Sequence, residues 1–144
     1  VPILTAYQES AQSKILDLYQ YLQLLSDTAV SATLKKEIEE NIYSLFKSKD
    51  VLVPNMFMPN KNAIKLSTFI EEVKNQPLVK FKVIGVENGQ IFIDNWQMAY
   101  TIEVLNKDVK YQLPVTQTVY LTKEIKAFGS TTKEVWQMHL GEIE

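Results

Sequence analysis

The sequence predicts an α+β fold in which three N-terminal helices pack on the concave face of a curved, mainly antiparallel β-sheet. Apolar residues recur at three- and four-residue spacing through the first half of the chain, which is typical of amphipathic helices. After Pro77 the spacing changes to two, which is typical of strands that bury one face. Because the helices precede the strands and do not alternate with them, the pattern favours α+β over α/β.

Length and composition limit the classes of function. The 144 residues predict a single domain spanning residues 1–144, and 46% hydrophobic with 22% charged residues is ordinary for a globular protein. The 15 cationic residues are all lysines against 17 acidic residues, a net charge of −2, so neither nucleic-acid binding nor phosphoryl chemistry is favoured. With no cysteine and one histidine, we expect no metal site and no cofactor.

Two amphipathic helices are predicted at the start of the chain. The first spans about Tyr7–Leu25, and Ser31 can cap a second one after a short break. The first helix has its predicted buried stripe at Ile15, Leu18, Tyr19, Leu22 and Leu25. The second has its stripe at Leu34, Ile38, Ile42, Leu45 and Phe46. Because the connection is short, the two helices should form an antiparallel hairpin.

A brief strand, Val51–Val53, is predicted next, and it leads into the irregular stretch Asn55–Asn62. Met56, Phe57 and Met58 within this stretch allow two interpretations. One is a loop that covers a pocket, since loops carry function and Met adapts to varied partners. The other, which we favour, is a linker whose apolar side chains fill the edge of the core.

A third, short helix completes the helical part of the chain. It is predicted over Thr68–Asn75, with Ser67 as its cap and Pro77 as its stop.

Antiparallel strands are predicted from there to the end. Asn88–Gly89 indicates a hairpin turn that leads into a strand containing Ile91 and Ile93. A turn at residues 129–131 precedes a closing strand over Thr132–Ile143. The predicted buried positions alternate: Val79, Phe81 and Val83; Met98, Tyr100, Ile102 and Val104; Val115, Gln117, Val119 and Leu121.

The closing strand carries a short motif, Trp-x-x-x-Leu-Gly-Glu-Ile, at Trp136, Leu140, Gly141, Glu142 and Ile143. Together with the order of elements, it resembles the nuclear transport factor 2 superfamily, also called cystatin-like or ketosteroid-isomerase-like, and its small bacterial members most of all. The resemblance covers nearly the whole chain and implies a cone-shaped fold. The motif marks the fold and not the chemistry. The richness in Lys, Asn and Ile is also typical of an AT-rich bacterial genome such as those of the Bacteroidetes.

Members of this superfamily range from isomerases and dehydratases to non-catalytic modules, so the resemblance assigns no activity. Isomerases of this type use a carboxylate base with Tyr and protonated Asp donors, and dehydratases use a His with an Asp. The chain matches neither set residue by residue. We therefore hypothesise a non-enzymatic binding or assembly domain, with a cone-shaped pocket for a small apolar ligand or a sheet surface for protein partners. The alternative is an isomerase or dehydratase of a small carbonyl compound.

Two residues are candidates for acid–base catalysis. His139 is the only imidazole and lies in the strand that lines the cone in similar proteins, although a half-exposed strand histidine is the favoured interpretation. Asp94 lies between the apolar run Ile91–Ile93 and Trp96, where burial would raise the pKa of its carboxyl. An Asp-Asn pair in this setting is more often a turn or bulge, and we favour that interpretation.

Aromatic residues supply the candidates for ligand binding. They have apolar bodies and, in Tyr, a hydroxyl that can reach a ligand, although most should be packing residues. The candidates, with the histidine, are Tyr19, Phe57, Tyr100, Trp136 and His139.

A homodimer through the sheet face is the predicted partner interaction. From Gln112 to Thr122 the wet side of the strand is mostly Gln, Thr and Tyr, with almost no charge. Such a face is a liability if left bare, and homodimers of this superfamily bury it. No apolar run is long enough to span a membrane. The chain starts at Val1, and removal of a signal peptide or an artificial boundary would explain this; we expect export slightly more than a cytoplasmic location.

Overall fold

The computed structural model describes the backbone of residues 2–144 and the side chains of residues 5–144. Three helices and six strands follow one another in the predicted order of helices before the large sheet. The helices are α1 (Pro2–Ser26), α2 (Ala32–Leu45) and α3 (Leu66–Lys74). The strands are β1 (Leu52–Pro54), β2 (Ala63–Lys65), β3 (Lys80–Asn88), β4 (Asn95–Asn106), β5 (Val109–Phe128) and β6 (Thr131–Ile143).

The large sheet has the order β3-β4-β5-β6 and is antiparallel throughout, and β1 and β2 form a separate hairpin. The helices cover one face of the large sheet, which we call the inner face. Alternate strand residues reach the core between the two layers, as the two-residue spacing predicted. Those buried on the inner face include Trp96, Met98, Tyr100, Ile102, Val104, Val115, Gln117, Val119, Met138 and Leu140.

The predicted helical hairpin forms, with one error in its buried stripe. Ser31 caps α2 by accepting a hydrogen bond from the Leu34 N–H at 3.2 Å, as predicted. Leu34 itself is 46% exposed, because it lies in the first turn of α2, before the helix reaches the core. Phe46 ends α2 as its C-cap, and it pairs with Leu140 on the free edge of β6.

The prediction for α3 places its start too late. α3 begins at Leu66 and its N-cap is Lys65, which makes no side-chain capping bond, so Ser67 is a helical residue and not the cap. The strand β2, which directly precedes α3, was not predicted. It pairs with β1, and the Asn55–Asn62 stretch closes this hairpin, with the Asn55 N–H donating to the Asn62 carbonyl at 2.8 Å.

The hairpin between β3 and β4 forms, but its turn is much longer than predicted. Residues 89–94 are irregular, and β4 begins only at Asn95, so Ile91 and Ile93 do not lie in a strand. The Phe92 N–H donates to the Asn95 carbonyl at 2.8 Å, which turns the chain within the predicted strand. Ile93 is consequently 95% exposed.

The strands β5 and β6 extend well beyond the rest of the sheet. Pairing of β4 with β5 stops at Asn95 opposite Tyr120, whereas β5 and β6 continue as a ribbon to Phe128 and Thr131. We call residues 121–128 and 131–138 the arm. Its outer half is exposed on both faces, since no helix or further strand in the described chain covers it.

The closing motif forms a β-bulge near the end of β6. Gly141 and Glu142 both lie opposite Thr118, so one extra residue is accommodated in β6. The pairs that flank the bulge are Val119–Leu140 and Gln117–Ile143.

Candidate functional site

A chain of hydrogen bonds crosses the interior between α1 and the large sheet. The Tyr19 and Tyr100 hydroxyls are 2.8 Å apart, and the Tyr100 hydroxyl donates to Gln117 Oε1 at 2.7 Å. Gln117 Nε2 donates in turn to the Gly141 carbonyl at 3.4 Å. Tyr19 and Tyr100 are only 2% and 3% exposed, and Gln117 is fully buried. These residues lie at the position predicted for a ligand pocket, and they bond to one another.

The geometry fixes the direction of this chain. A tyrosine hydroxyl has one proton, and Tyr100 gives its proton to Gln117, so Tyr19 must be the donor to Tyr100. Burial, above all, raises the pKa of both tyrosines above the ordinary value of 10.0. Both hydroxyls are therefore neutral donors near neutral pH.

The described side chains place no acid–base pair in the interior. Among the described side chains, the buried polar residues are Ser26 and Gln117, and neither has a titratable group in the useful range. The Ser26 hydroxyl is used to join α1 to the start of β3, where it accepts from the Val79 N–H at 3.0 Å. The indole N–H of Trp96 is buried without a hydrogen-bond partner among the described residues.

The two candidate catalytic residues lie outside this interior. His139 is half-buried on the outer face of the sheet, where it pairs across the strands with Tyr120. Asp94 is exposed in the turn before β4, and its carboxylate accepts from Asn95 Nδ2 at 2.7 Å. Asn95 and His139 flank Tyr120 from opposite sides, so a whole strand separates the two candidates.

Tyr120 is the centre of a polar cluster on the outer face. Its hydroxyl donates to the Glu142 carboxylate, with oxygen–oxygen distances of 2.5 and 3.1 Å. Lys47 Nζ lies 4.0 Å from the centre of the Tyr120 ring, and the Lys47 N–H donates to the Leu140 carbonyl at 2.8 Å. The cluster thus ties the end of α2 to the bulge in β6.

The Tyr120–Glu142 bond predicts a measurable shift in titration. The hydrogen bond to the Glu142 carboxylate, with burial second, raises the pKa of Tyr120 from 10.0 to about 12. The neutral phenol therefore stabilises the fold below pH 10, and this stabilisation is lost as the pH rises toward 12. We expect Glu142→Gln to bring the Tyr120 pKa back toward 10, measured by NMR of the tyrosine rings. Glu134→Gln is the control, and an equal effect of both variants would contradict the assignment.

The remaining ligand-binding candidates are not brought together. Phe57 stacks on Phe69 of α3 at a centroid distance of 5.8 Å, and neighbouring Met56 is fully buried, as the linker interpretation predicted. Met58 is 48% exposed, so that interpretation was wrong for this residue. Trp136 lies on the arm and is 45% exposed, with Lys123 Nζ 5.6 Å from its ring centre. Of the five candidates, only Tyr19 and Tyr100 share a site.

The middle of the outer sheet face carries a strip of uncharged side chains. It includes a shallow depression of about 380 Å³, with Glu87 and Glu144 among its lining residues. We call this set the outer strip: Gln97, Ala99, Thr101, Thr116, Thr118, Tyr120, Thr122, Gln137 and His139. Its members are partly or fully exposed, and none is a Lys, Asp or Glu.

Within residues 2–144, no helix is long and apolar enough to cross a membrane. The same part of the chain contains no cluster of three or more His, Cys, Asp or Glu side chains placed to hold a metal ion.

No protein-family model and no curated protein sequence matches the chain. Among solved structures, it is similar to a nuclear transport factor 2-like protein of unknown function from Pseudomonas aeruginosa. The two are 13% identical, and the match covers 96% of each chain with a TM-score of 0.50. At this identity the similarity concerns the fold alone. The chain therefore has the nuclear transport factor 2-like fold that its closing strand and element order predicted.

Proposed function

We propose that the protein is a non-catalytic assembly domain whose recognition surface is the outer strip, with a second copy of the chain as its partner. The observation that carries this proposal is the contrast between the two faces of the large sheet. The inner face is covered and its central polar groups are bonded to each other, whereas the side chains of the outer strip are partly or fully exposed and include no Lys, Asp or Glu, with the Glu87, Glu142 and Glu144 carboxylates at its border.

The composition of the outer strip supports a protein partner. The buried centres of protein interfaces are depleted in charge, and the strip has uncharged Thr, Gln and Ala side chains with Tyr120 among them. A twofold axis brings the same patch of each copy together, so the strip's own side chains meet no like charge, and the carboxylates at its border would lie at the rim of the pairing. The edge strand β3 instead exposes Lys80 and Lys82, which is typical of a surface that remains in contact with water.

An isomerase or dehydratase has less support. Either activity needs a base beside the bound substrate, and a productive base must lie within hydrogen-bond reach of the proton it removes. His139 and Asp94 lie on the outer face and in an exposed turn, on opposite sides of Tyr120. The interior tyrosines are neutral donors without a buried carboxylate or imidazole among the described side chains.

The dimer proposal is tested by placing a charge in the outer strip. We expect Gln97→Lys to weaken dimerisation by about tenfold or more, because each copy would bring one new lysine charge into the same interface. Light scattering at micromolar concentration measures the change, starting from a monomer of 16.6 kDa.

The matched control is Gln20→Lys, the same substitution at an exposed position of α1. It should leave dimerisation unchanged. A wild-type chain that is monomeric at micromolar concentration, or an equal effect of the two variants, would overturn the proposed face-to-face dimer.

A further inference from the structure

We propose that the arm is a second, independent interface, in which the free edge of β5 pairs with the same edge of another copy of this chain. The proposal does not depend on the face-to-face dimer. It rests on an open backbone edge and on a self-complementary order of side chains along that edge.

The open edge begins where β4 ends. The Leu121 N–H donates to the Asp94 carbonyl at 2.8 Å, and this is the last bond on that side, since β4 pairs only as far as Tyr120. In an antiparallel strand the backbone groups of every second residue point to the same edge. Lys123, Ile125 and Ala127 therefore direct their N–H and C=O groups to an edge that no described residue occupies.

Symmetry restricts how this edge can pair with itself. A twofold axis perpendicular to the ribbon keeps each side chain on its own face, and odd- and even-numbered residues of β5 lie on opposite faces. An odd-numbered residue can therefore lie opposite only an odd-numbered residue of the other copy, and an even-numbered residue only an even-numbered one. Centring the axis on Ile125 sets Ile125 opposite its counterpart and Lys123 opposite Ala127 of the second copy. Facing residues of this kind exchange both of their backbone hydrogen bonds.

The same register pairs opposite charges. It sets Glu124 opposite Lys126 of the second copy, and Lys126 opposite Glu124 of the second copy. Within one chain, Lys126 lies opposite Lys133, a like-charge pair across the arm. The glutamate of the second copy would supply a negative charge directly opposite Lys126, where its own arm supplies Lys133.

Apolar exposure at the edge fits this arrangement. Ile125 is 73% exposed and would be covered by its counterpart, and the Phe128 side chain is also exposed at the tip. The other edge of the arm, along β6, does not have the same complementarity. A twofold axis centred on Lys133 or on Glu134 sets identical charges opposite each other, and an axis centred on Val135 or on Trp136 avoids this but forms no pair of opposite charges. The β5 edge is therefore the one that suits a second copy.

Charge exchange tests the pairing. The edge is short, so association is weak, and it is measured by sedimentation at several hundred micromolar. All variants carry Gln97→Lys, which weakens the face-to-face dimer equally in each, so the differences between them report the arm. We expect Glu124→Lys and Lys126→Glu each to weaken self-association by about tenfold. An equimolar mixture of the two variants should recover it, because a basic arm then meets an acidic one. The double variant Glu124→Lys/Lys126→Glu should recover it as well.

Lys36→Glu is the matched control, since it makes the same change of charge at an exposed position of α2, away from the arm. It should not weaken association. The pairing is overturned if Lys36→Glu weakens association as much as Lys126→Glu does, or if mixing the two charge variants recovers nothing. If the protein stays monomeric at this concentration, the pairing is also overturned. The lysines of the arm would then serve to keep the unpaired strand edge from aggregating.

Discussion

The Tyr100→Phe variant is expected to lose about 1–3 kcal/mol of unfolding free energy, which exceeds the loss expected for Tyr19→Phe. The direction of the interior hydrogen bonds is the reason. Tyr100 both accepts from Tyr19 and donates to Gln117, so removing its hydroxyl leaves two buried groups without a partner. Tyr19 lies at the end of the chain, and its removal leaves the Tyr100–Gln117 bond in place, at a cost of about 0.5–1.5 kcal/mol.

Urea denaturation of the two single variants and the double variant measures this difference. We expect the two costs not to add, because Tyr100→Phe in the Tyr19→Phe background leaves only Gln117 unpaired. The slope of the denaturation curve should stay constant, which shows that the folded state keeps its compactness. Equal costs for the single variants, or strict additivity, would contradict the central place of Tyr100 in this chain of hydrogen bonds.

Local pattern was sufficient to predict much of this fold. The stripe from Ile15 to Leu25 and the alternation from Met98 to Val104 each report one buried face of one element, and both are buried as predicted. Ser31 was identified as a cap because its side chain bonds within the first turn of its own helix. Such features depend on residues near in sequence, and one sequence suffices to predict them.

Features that depend on distant partners were missed. The turn signal Asn88–Gly89 was real, but it did not show that the Phe92–Asn95 turn would end the strand, which leaves Ile93 in solvent. The strand β2 forms because Ala63–Lys65 meets β1, and three residues carry too little pattern to be predicted alone. Nor does alternation tell which strands continue past their neighbours, so the arm was not predicted.

The candidate site shows the same division. Tyr19 and Tyr100 were predicted to be buried and are, yet Gln117, which links Tyr100 to the carbonyl of Gly141, was assigned only as a member of a buried stripe. His139 was singled out as the only imidazole, but the alternation of side chains along β6 places it on the outer face, beside Tyr120. Glu142 was noted as part of a motif, and its bond to Tyr120 depends on a bulge that spacing does not reveal.

That bulge explains why the closing motif needs a glycine. A Cβ atom at Gly141 would overlap the Tyr120 ring, with the ring Cδ2 at 2.9 Å, and would lie 3.1 Å from the Thr118 carbonyl oxygen. To make room, the ring would have to leave both the Glu142 carboxylate and Lys47. We therefore expect Gly141→Ala to lose about 1–3 kcal/mol of unfolding free energy, the usual cost of overpacking.

A double-mutant cycle with Tyr120→Ala separates this steric effect from a general loss of backbone freedom. Without the ring, the added methyl group meets only the Thr118 carbonyl oxygen among the close atoms, so Gly141→Ala should cost clearly less in the Tyr120→Ala background. Chemical denaturation of the four proteins gives the coupling. An equal cost in both backgrounds would show that the glycine is needed for another reason. The expected result would instead show that Leu140-Gly141-Glu142 positions the Tyr120 ring against the bulge, where the outer strip meets the end of α2.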